Sequence, residues 1–287
     1  MTALIDVILD KIQDEYHKED ISWTHTAITK DDYSFLEGEC MQYSEFDPYN
    51  ARKNMFLRMK NAQVSYEMRK CKYGQICVVY EDLNQSEDVP WSLWGRILRM
   101  FSDHSTPFKI YLLANTHVRE FPKRNVEIKP ENINGGYTYP CRRDSILIYR
   151  AEDATRVLIH ELMHASCLDK TENGVDMVEA ETEAWAELFY IAFLSQGKRL
   201  LFLKLLENQS NWMIEQNRKV KNHMKNPESM EFPWRYTIGK ENIWRKWNIL
   251  SPSSSAAHQV GSSLRLTYPP SNSLKHTFHV SKHSTIL

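Results

Sequence analysis

The chain has 287 residues, of which 42% are hydrophobic and 25% are charged, a composition typical of a globular protein and not of a disordered chain or a coiled coil. Its 36 basic and 37 acidic side chains leave a formal net charge of −1, so no general positive field would attract nucleic acid or an anionic membrane. No apolar run approaches the roughly 20 residues that cross a bilayer. From the charge balance and the lack of such a run together, we expect neither nucleic acid nor a membrane as a partner.

The first twenty residues are acidic and amphipathic, and Asp6 and Asp10 interrupt their apolar stretch. A signal peptide needs a basic start and an unbroken apolar core, which this segment lacks. The five cysteines are too few and too scattered for a disulfide framework. Both features favour a cytoplasmic protein with reduced thiols.

Apolar periodicity predicts the elements in chain order. Residues 1–70 are predicted to be a mostly helical N-terminal region. Residues 71–250 alternate short β-branched runs with amphipathic stretches, which is typical of one α+β domain. Its predicted strands are 75–80, 108–114, 133–139 and 145–150. The strand 133–139 is predicted to lie at the edge of the sheet because of its glycines. Its main predicted helices are 90–101, 152–167 and 176–194.

Residues 251–287 contain ten serines and no acidic residue. This composition predicts a flexible tail. A late hairpin formed by residues 264–268 and 278–280 is the alternative.

The sequence His160-Glu161-Leu162-Met163-His164 is an HExxH motif. On a helix, four residues advance about 6 Å and about 400°, so both imidazoles project from one face and can bind one Zn²⁺. Glu161 lies between them, where it can accept a proton from the attacking water.

A zinc site of this kind needs a third protein ligand. The metzincin pattern is excluded, because Cys167 and Lys170 stand where that class has glycine and histidine. The predicted helix 176–194 instead carries an acidic series on an otherwise apolar stretch. Its glutamates are Glu179, Glu181, Glu183 and Glu187.

The spacing HExxH-x18-E, which ends at Glu183, resembles the gluzincin peptidases, such as the thermolysin-like and M1 aminopeptidase families. That resemblance implies Glu183 as the third ligand of one zinc ion. It also implies that Glu187, one turn later, orients a zinc-bound histidine through the ring N–H. Glu179 and Glu187 stay open as alternative ligands.

The order of the predicted strands and helices is similar to that of zincin-type domains. The resemblance implies an α+β zincin-like fold: a small mixed sheet, a backing helix, the HExxH helix and helical flanks. In such enzymes the edge strand lies antiparallel to the bound peptide, which makes Asn134, Gly135, Gly136 and Tyr137 candidate substrate-binding residues. An ordinary glycine-rich turn is the alternative.

The block Asn-Gly-Gly-Tyr-Thr, followed by Ile-Tyr-Arg and HExxH, also resembles uncharacterised metallopeptidases of large DNA viruses, over roughly residues 90–190. For a viral chain this resemblance implies a location in the host cytoplasm or the virion.

The function expected from these residues is zinc-dependent cleavage of a peptide or protein substrate, with Glu161 as the general base. The alternatives are a zinc-containing binding protein or inactive homologue, and a zinc amidohydrolase acting on a non-peptide amide. The residue that stabilises the oxyanion is left open among four candidates, which are Tyr190, His223, Tyr236 and Tyr268.

Overall fold

A computed structural model describes residues 3–47, 49–82, 88–102, 106–252 and 260–269. These residues form a mixed α+β fold and divide into two compact units. The sheet unit contains the described parts of Asp20–Val118 and Asn134–Cys167. The helical unit contains the described parts of Met1–Glu19, Arg119–Ile133 and Leu168–Lys275.

The sheet unit is built on six strands in the order β1-β2-β3-β4-β6-β5. Strands β1, β2 and β3 are antiparallel neighbours, β3, β4 and β6 run parallel, and β5 closes the row antiparallel to β6. Their bounds are β1 Thr24–Thr26, β2 Tyr66–Cys71, β3 Gly74–Tyr80, β4 Phe108–Ala114, β5 Gly136–Tyr137 and β6 Ile146–Ile148. The structure thus confirms a mixed sheet with the glycine-rich strand at its edge.

Two helices of this unit carry the HExxH segment or support it. Helix α4 (Trp91–Phe101) connects the parallel strands β3 and β4, and it packs against α6 (Ala154–Ala165). Trp94 Nε1 on α4 donates a 2.9 Å hydrogen bond to Thr155 Oγ1 at the start of α6. All twelve residues of α6 are buried, so this helix is a core element of its unit.

Helices α2 (Lys30–Met41) and α3 (Ala51–Lys60) complete the sheet unit. Their apolar side chains and those of the strands form one core cluster. The cluster includes Leu36, Met55, Phe56, Met68, Tyr111, Leu113 and Leu147.

The helical unit is centred on α7 (Val175–Ser195), against which α1, α8, α9 and α10 pack. The remaining bounds are α1 Ala3–His17, α5 Pro130–Ile133, α8 Arg199–Lys221, α9 Phe232–Tyr236 and α10 Ile238–Lys246. None of the helices in the described ranges combines the length and apolar character that crossing a bilayer demands.

The expectation of a mostly helical region 1–70 holds only in part. The three helices α1, α2 and α3 are present, but the pattern missed strands β1 and β2. These strands carry many polar side chains, with the sequences THT and YEMRKC. Their place in the sheet depends on pairing, of β2 with the apolar strand β3 and of β1 with β2. Residues 1–70 also do not form a region of their own, since they are divided between the two units.

The expectation of a flexible tail is wrong for residues 260–268. Val260, Leu264 and Leu266 are at most 3% exposed in the helical unit. Trp212 Nε1 donates to the carbonyl oxygen of Arg265 at 2.9 Å, so the backbone of this segment is also bonded. No strand forms at 264–268, and the second half of the alternative hairpin lies outside the described residues.

Candidate metal centre

The two histidines of the HExxH motif converge on one point of space in the sheet unit. Their Nε2 atoms are 3.0 Å apart, and the side chains are only 6% and 8% exposed. Two bonds of about 2.0–2.1 Å to one tetrahedral zinc ion would separate such nitrogens by about 3.3 Å. His160 and His164 therefore fit a shared divalent metal, as their spacing on one helix predicts.

Glu161 is 4% exposed, and the backbone of β5 passes close to its carboxylate. A Cβ atom added at Gly136 would lie 3.3 Å from Glu161 Oε1 and 2.7 Å from Val157 Cγ1. Only glycine leaves room for this approach. The structure thus brings the predicted general base and the predicted substrate strand together.

The other predicted substrate residues lie along the same edge. The carbonyl oxygen of Gly135 accepts a 2.8 Å hydrogen bond from the backbone N–H of Tyr149. Asn134 directly precedes it and is half-buried. Because β5 is the last strand of the described sheet, this row of residues borders the HExxH helix at a sheet margin.

Tyr137 uses its hydroxyl group within the protein. It donates to Glu39 Oε2 at 2.6 Å and accepts from Arg52 Nη1 at 2.8 Å, and Arg52 in turn pairs with Asp47 at 3.1 Å. Burial and the neighbouring Glu39 carboxylate raise the pKa of the Tyr137 phenol, so it stays protonated and donates. Tyr137 therefore fixes β5 in position.

The sequence reasoning missed Glu39 and Arg52. They lie on helices in the first quarter of the chain, 98 and 85 positions away from Tyr137. No local pattern indicates a contact across such a distance.

The expectation of reduced thiols is wrong for one pair of cysteines. Cys141 and Cys167 form a disulfide, whereas Cys40, Cys71 and Cys77 are free and buried. Cys141 follows β5 and Cys167 follows α6, so only the folded chain brings them together.

The acidic series of α7 lies in the helical unit. Glu183 and Glu187 are 2% and 0% exposed, and Glu179 is half-buried. Both oxygens of Glu187 have partners: Lys240 Nζ donates at 3.0 Å and Thr267 Oγ1 at 2.5 Å. The predicted role of Glu187 beside a histidine stays a prediction.

Lys240, which the sequence reasoning missed, is only 1% exposed. Its Nζ lies 4.0 Å from Glu183 Oε2 and donates to the carbonyl oxygen of Leu266 at 2.8 Å. A buried ammonium group requires such partners, since isolated burial of a charge is costly.

The candidate oxyanion donors also lie in the helical unit. Tyr190 is 1% exposed, and the ring of Tyr236 packs on Phe232 at 5.1 Å between centroids. A ring nitrogen of His223 lies 2.8 Å from the carbonyl oxygen of Val126, and the Tyr268 backbone N–H donates to Gln209 Oε1 at 2.6 Å. These contacts favour none of the four.

Replacing Gly136 with alanine should lower both the melting temperature and any hydrolytic activity. The new methyl group would overlap Val157 and push against Glu161, a steric overlap that typically costs about 1–3 kcal/mol. Thermal unfolding and a rate assay check this. Gly38→Ala is the matched control, because apart from the adjacent residues and backbone of α2 no atom lies within 4 Å of the place that its methyl group would take. Equal behaviour of the two variants would contradict the close approach of β5.

Comparison with known proteins adds no relative. No family model matches the chain, and neither the curated proteins nor the solved structures contain a significant match. The functional hypothesis therefore depends on the chemistry of the residues themselves.

Proposed function

We propose that the chain is a zinc-dependent hydrolase of zincin-like architecture that cleaves peptide bonds with Glu161 as its general base. The observation that carries this proposal is the convergence of His160 and His164 beside a buried Glu161, against the edge strand β5. The substrate we propose is a peptide or protein segment.

The third ligand is proposed to come from α7. Two imidazoles and one carboxylate form a donor set that zinc adopts in hydrolytic sites, where a fourth position stays open. Spacing favours Glu183, with Glu179 as its competitor. Glu187 is the weaker candidate, because Lys240 and Thr267 already bind its two oxygens.

A zinc ion held by these residues would supply Lewis acidity, which polarises a substrate carbonyl and acidifies water. Glu161 accepts the proton of the water that attacks the carbonyl carbon, and then delivers it to the leaving amine. The backbone of β5 near Gly136 orients an extended peptide through main-chain hydrogen bonds.

Two other functions differ from this one, either in the site or in the substrate. A structural zinc site in a binding protein would close with a fourth ligand and would have no use for Glu161. An amidohydrolase acting on a non-peptide amide would use the same residues, and only the substrate separates it from a peptidase.

Metal titration of α7 variants tests the proposed ligand. Glu183→Ala should largely abolish zinc binding, because only two histidines remain, whereas Glu179→Ala should retain it. Glu181→Ala is the matched control from the same helix. If Glu179→Ala loses zinc and Glu183→Ala keeps it, Glu179 and not Glu183 is the third ligand. If neither substitution changes zinc binding, the third ligand does not come from α7.

Digestion of a peptide library by the same proteins tests the reaction. The zinc-loaded wild-type chain should cleave peptides, a chelator should stop cleavage, and added zinc should restore it. Cleavage that persists in chelator would exclude the proposed mechanism. Zinc binding with no cleaved peptide would favour the binding protein or the amidohydrolase.

A further inference from the structure

The disulfide between Cys141 and Cys167 lies at the end of the HExxH helix. The two cysteines are 26 positions apart, and their Cα atoms are 4.6 Å apart. Cys141 belongs to the turn that follows β5, and Cys167 comes two residues after the last residue of α6. The bond thus connects the segment after the proposed substrate strand with the helix that carries both histidines.

Both cysteines also bind the backbone of His164. The N–H groups of Cys141 and Cys167 donate to the carbonyl oxygen of His164 at 3.0 Å and 3.1 Å. Carbonyl groups in the last turn of a helix lack partners within the helix, so these two bonds complete the end of α6. Both cysteines have left-handed backbones, with φ of 63° and 56°, a conformation that non-glycine residues adopt at a cost.

These two cysteines are also the accessible ones. Cys141 and Cys167 are exposed, whereas Cys40, Cys71 and Cys77 are buried. Burial raises the pKa of the Cys40 and Cys77 thiols to about 12, so they stay unreactive at neutral pH. A soluble reductant would therefore reach this disulfide in the folded protein, and a thiol reagent would then label Cys141 and Cys167 before the buried thiols.

We propose that the Cys141–Cys167 disulfide is a redox modification site that controls the order of the end of α6 and, through His164, the affinity for the metal. The consequence for the metal rests on the proposed function, and the ordering of the helix end does not.

In the reduction step, one thiolate of a dithiol attacks a sulfur atom of the disulfide, and the S–S bond breaks. The second thiol of the reductant resolves the mixed disulfide. Two electrons and two protons pass from the dithiol to Cys141 and Cys167, and the dithiol becomes a disulfide.

Reduction removes the covalent link between Cys141 and Cys167. The hydrogen bonds from their N–H groups to the carbonyl oxygen of His164 then persist only while the backbone around each cysteine keeps its conformation. The strained left-handed backbones favour release. Because His164 lies in the last turn of α6, loss of order there moves one of the two proposed histidine ligands. A ligand held less firmly in orientation typically costs about 10–100-fold in metal affinity.

The test compares the oxidised chain, the chain reduced with dithiothreitol and then desalted without oxygen, and the double variant Cys141→Ser/Cys167→Ser. Three quantities are measured for each: thiols that react in the native state, exchange rates of the backbone amides of residues 141 and 167, and the dissociation constant of zinc. The zinc constant is obtained by competition with a coloured chelator.

We expect no rapidly reacting thiol in the oxidised chain and both Cys141 and Cys167 to react after reduction. Amide exchange at residues 141 and 167 should accelerate at least about tenfold, and zinc should bind about 10-fold more weakly. In amide exchange and zinc affinity the double variant should resemble the reduced chain, and it should show no rapidly reacting thiol. It should not respond to dithiothreitol, which separates the disulfide from other effects of the reductant.

Reactive thiols in the oxidised chain, or unchanged exchange and zinc affinity after reduction, would overturn the proposal. If the oxidised chain binds no zinc while reduction still accelerates exchange at both amides, the hydrolase proposal fails and the disulfide's control of the helix end is retained.

Discussion

Replacing Glu161 with glutamine is expected to leave zinc bound and to lower the hydrolytic rate by about 10²–10⁴-fold. Glutamine has the same shape and fits the same buried place, but its amide cannot accept the proton of the attacking water. Since Glu161 is not a proposed ligand, the substitution leaves every proposed ligand of the metal in place. Zinc content and single-turnover rates on a cleaved peptide check both halves of this result.

Glu37→Gln is a suitable control for the Glu161 variant. It makes the same chemical change in the same unit, at an acid that pairs with Lys60 on the surface at 2.8 Å. This variant should keep the wild-type rate and stability, because exposed ion pairs contribute about 0–1 kcal/mol. A Glu161→Gln chain that keeps full activity, or that loses its zinc, would refute the role assigned to Glu161.

Ending the chain at Ser251 is expected to unfold the helical unit or to lower its melting temperature steeply. The truncation removes Val260, Leu264 and Leu266, whose burial contributes roughly 5–9 kcal/mol at about 1.5–3 kcal/mol each. That range is comparable to the total stability of an ordinary domain, about 5–15 kcal/mol. Thermal and denaturant unfolding measure the loss.

The truncation also removes polar partners from two buried charges. Lys240 loses the Leu266 carbonyl oxygen, and Glu187 loses the Thr267 hydroxyl group. Unmet hydrogen bonds of charged groups in the interior add to the cost. The buried pair of Lys240 and Glu187 therefore loses one further hydrogen-bond partner on each side when residues 266 and 267 are removed.

Point variants and a longer chain show whether the described contacts cause the effect. Leu264→Ala should cost about 2–5 kcal/mol, whereas Ser262→Ala, at an exposed position, should cost little. A chain ending at Pro269 keeps every described contact of this segment and should have a much higher melting temperature than the chain ending at Ser251. If the chain ending at Ser251 were as stable as the full chain, the packing of residues 260–268 would be refuted.

Much of the sheet unit could be predicted from local pattern. The strands 75–80 and 108–114 and the helix 90–101 agree with β3, β4 and α4 within one residue, because their apolar side chains repeat with the period of the element that they form. The weaker predictions were at 133–139 and 145–150, where β5 and β6 contain only two and three residues. Pairing, and not propensity, decides the extent of such short strands.

The sequence by itself determined the helix that carries His160, Glu161 and His164, and the shared face of the two histidines. Both follow from residues at most four positions apart, whose relative placement is set by the geometry of one helix. It also determined that the glycine-rich strand lies at the margin of the sheet, because glycine and proline are unsuited to a central strand.

Only the tertiary structure decided which distant residues support these elements. The bonds of Tyr137 to Glu39, of Cys141 to Cys167 and of Lys240 to Glu187 connect positions 26 to 98 residues apart. The burial of residues 260–268 likewise depends on helices that precede them. Such contacts form when packing brings complementary groups together. Neither a serine-rich composition nor the position of a single cysteine indicates which distant residue will be its partner.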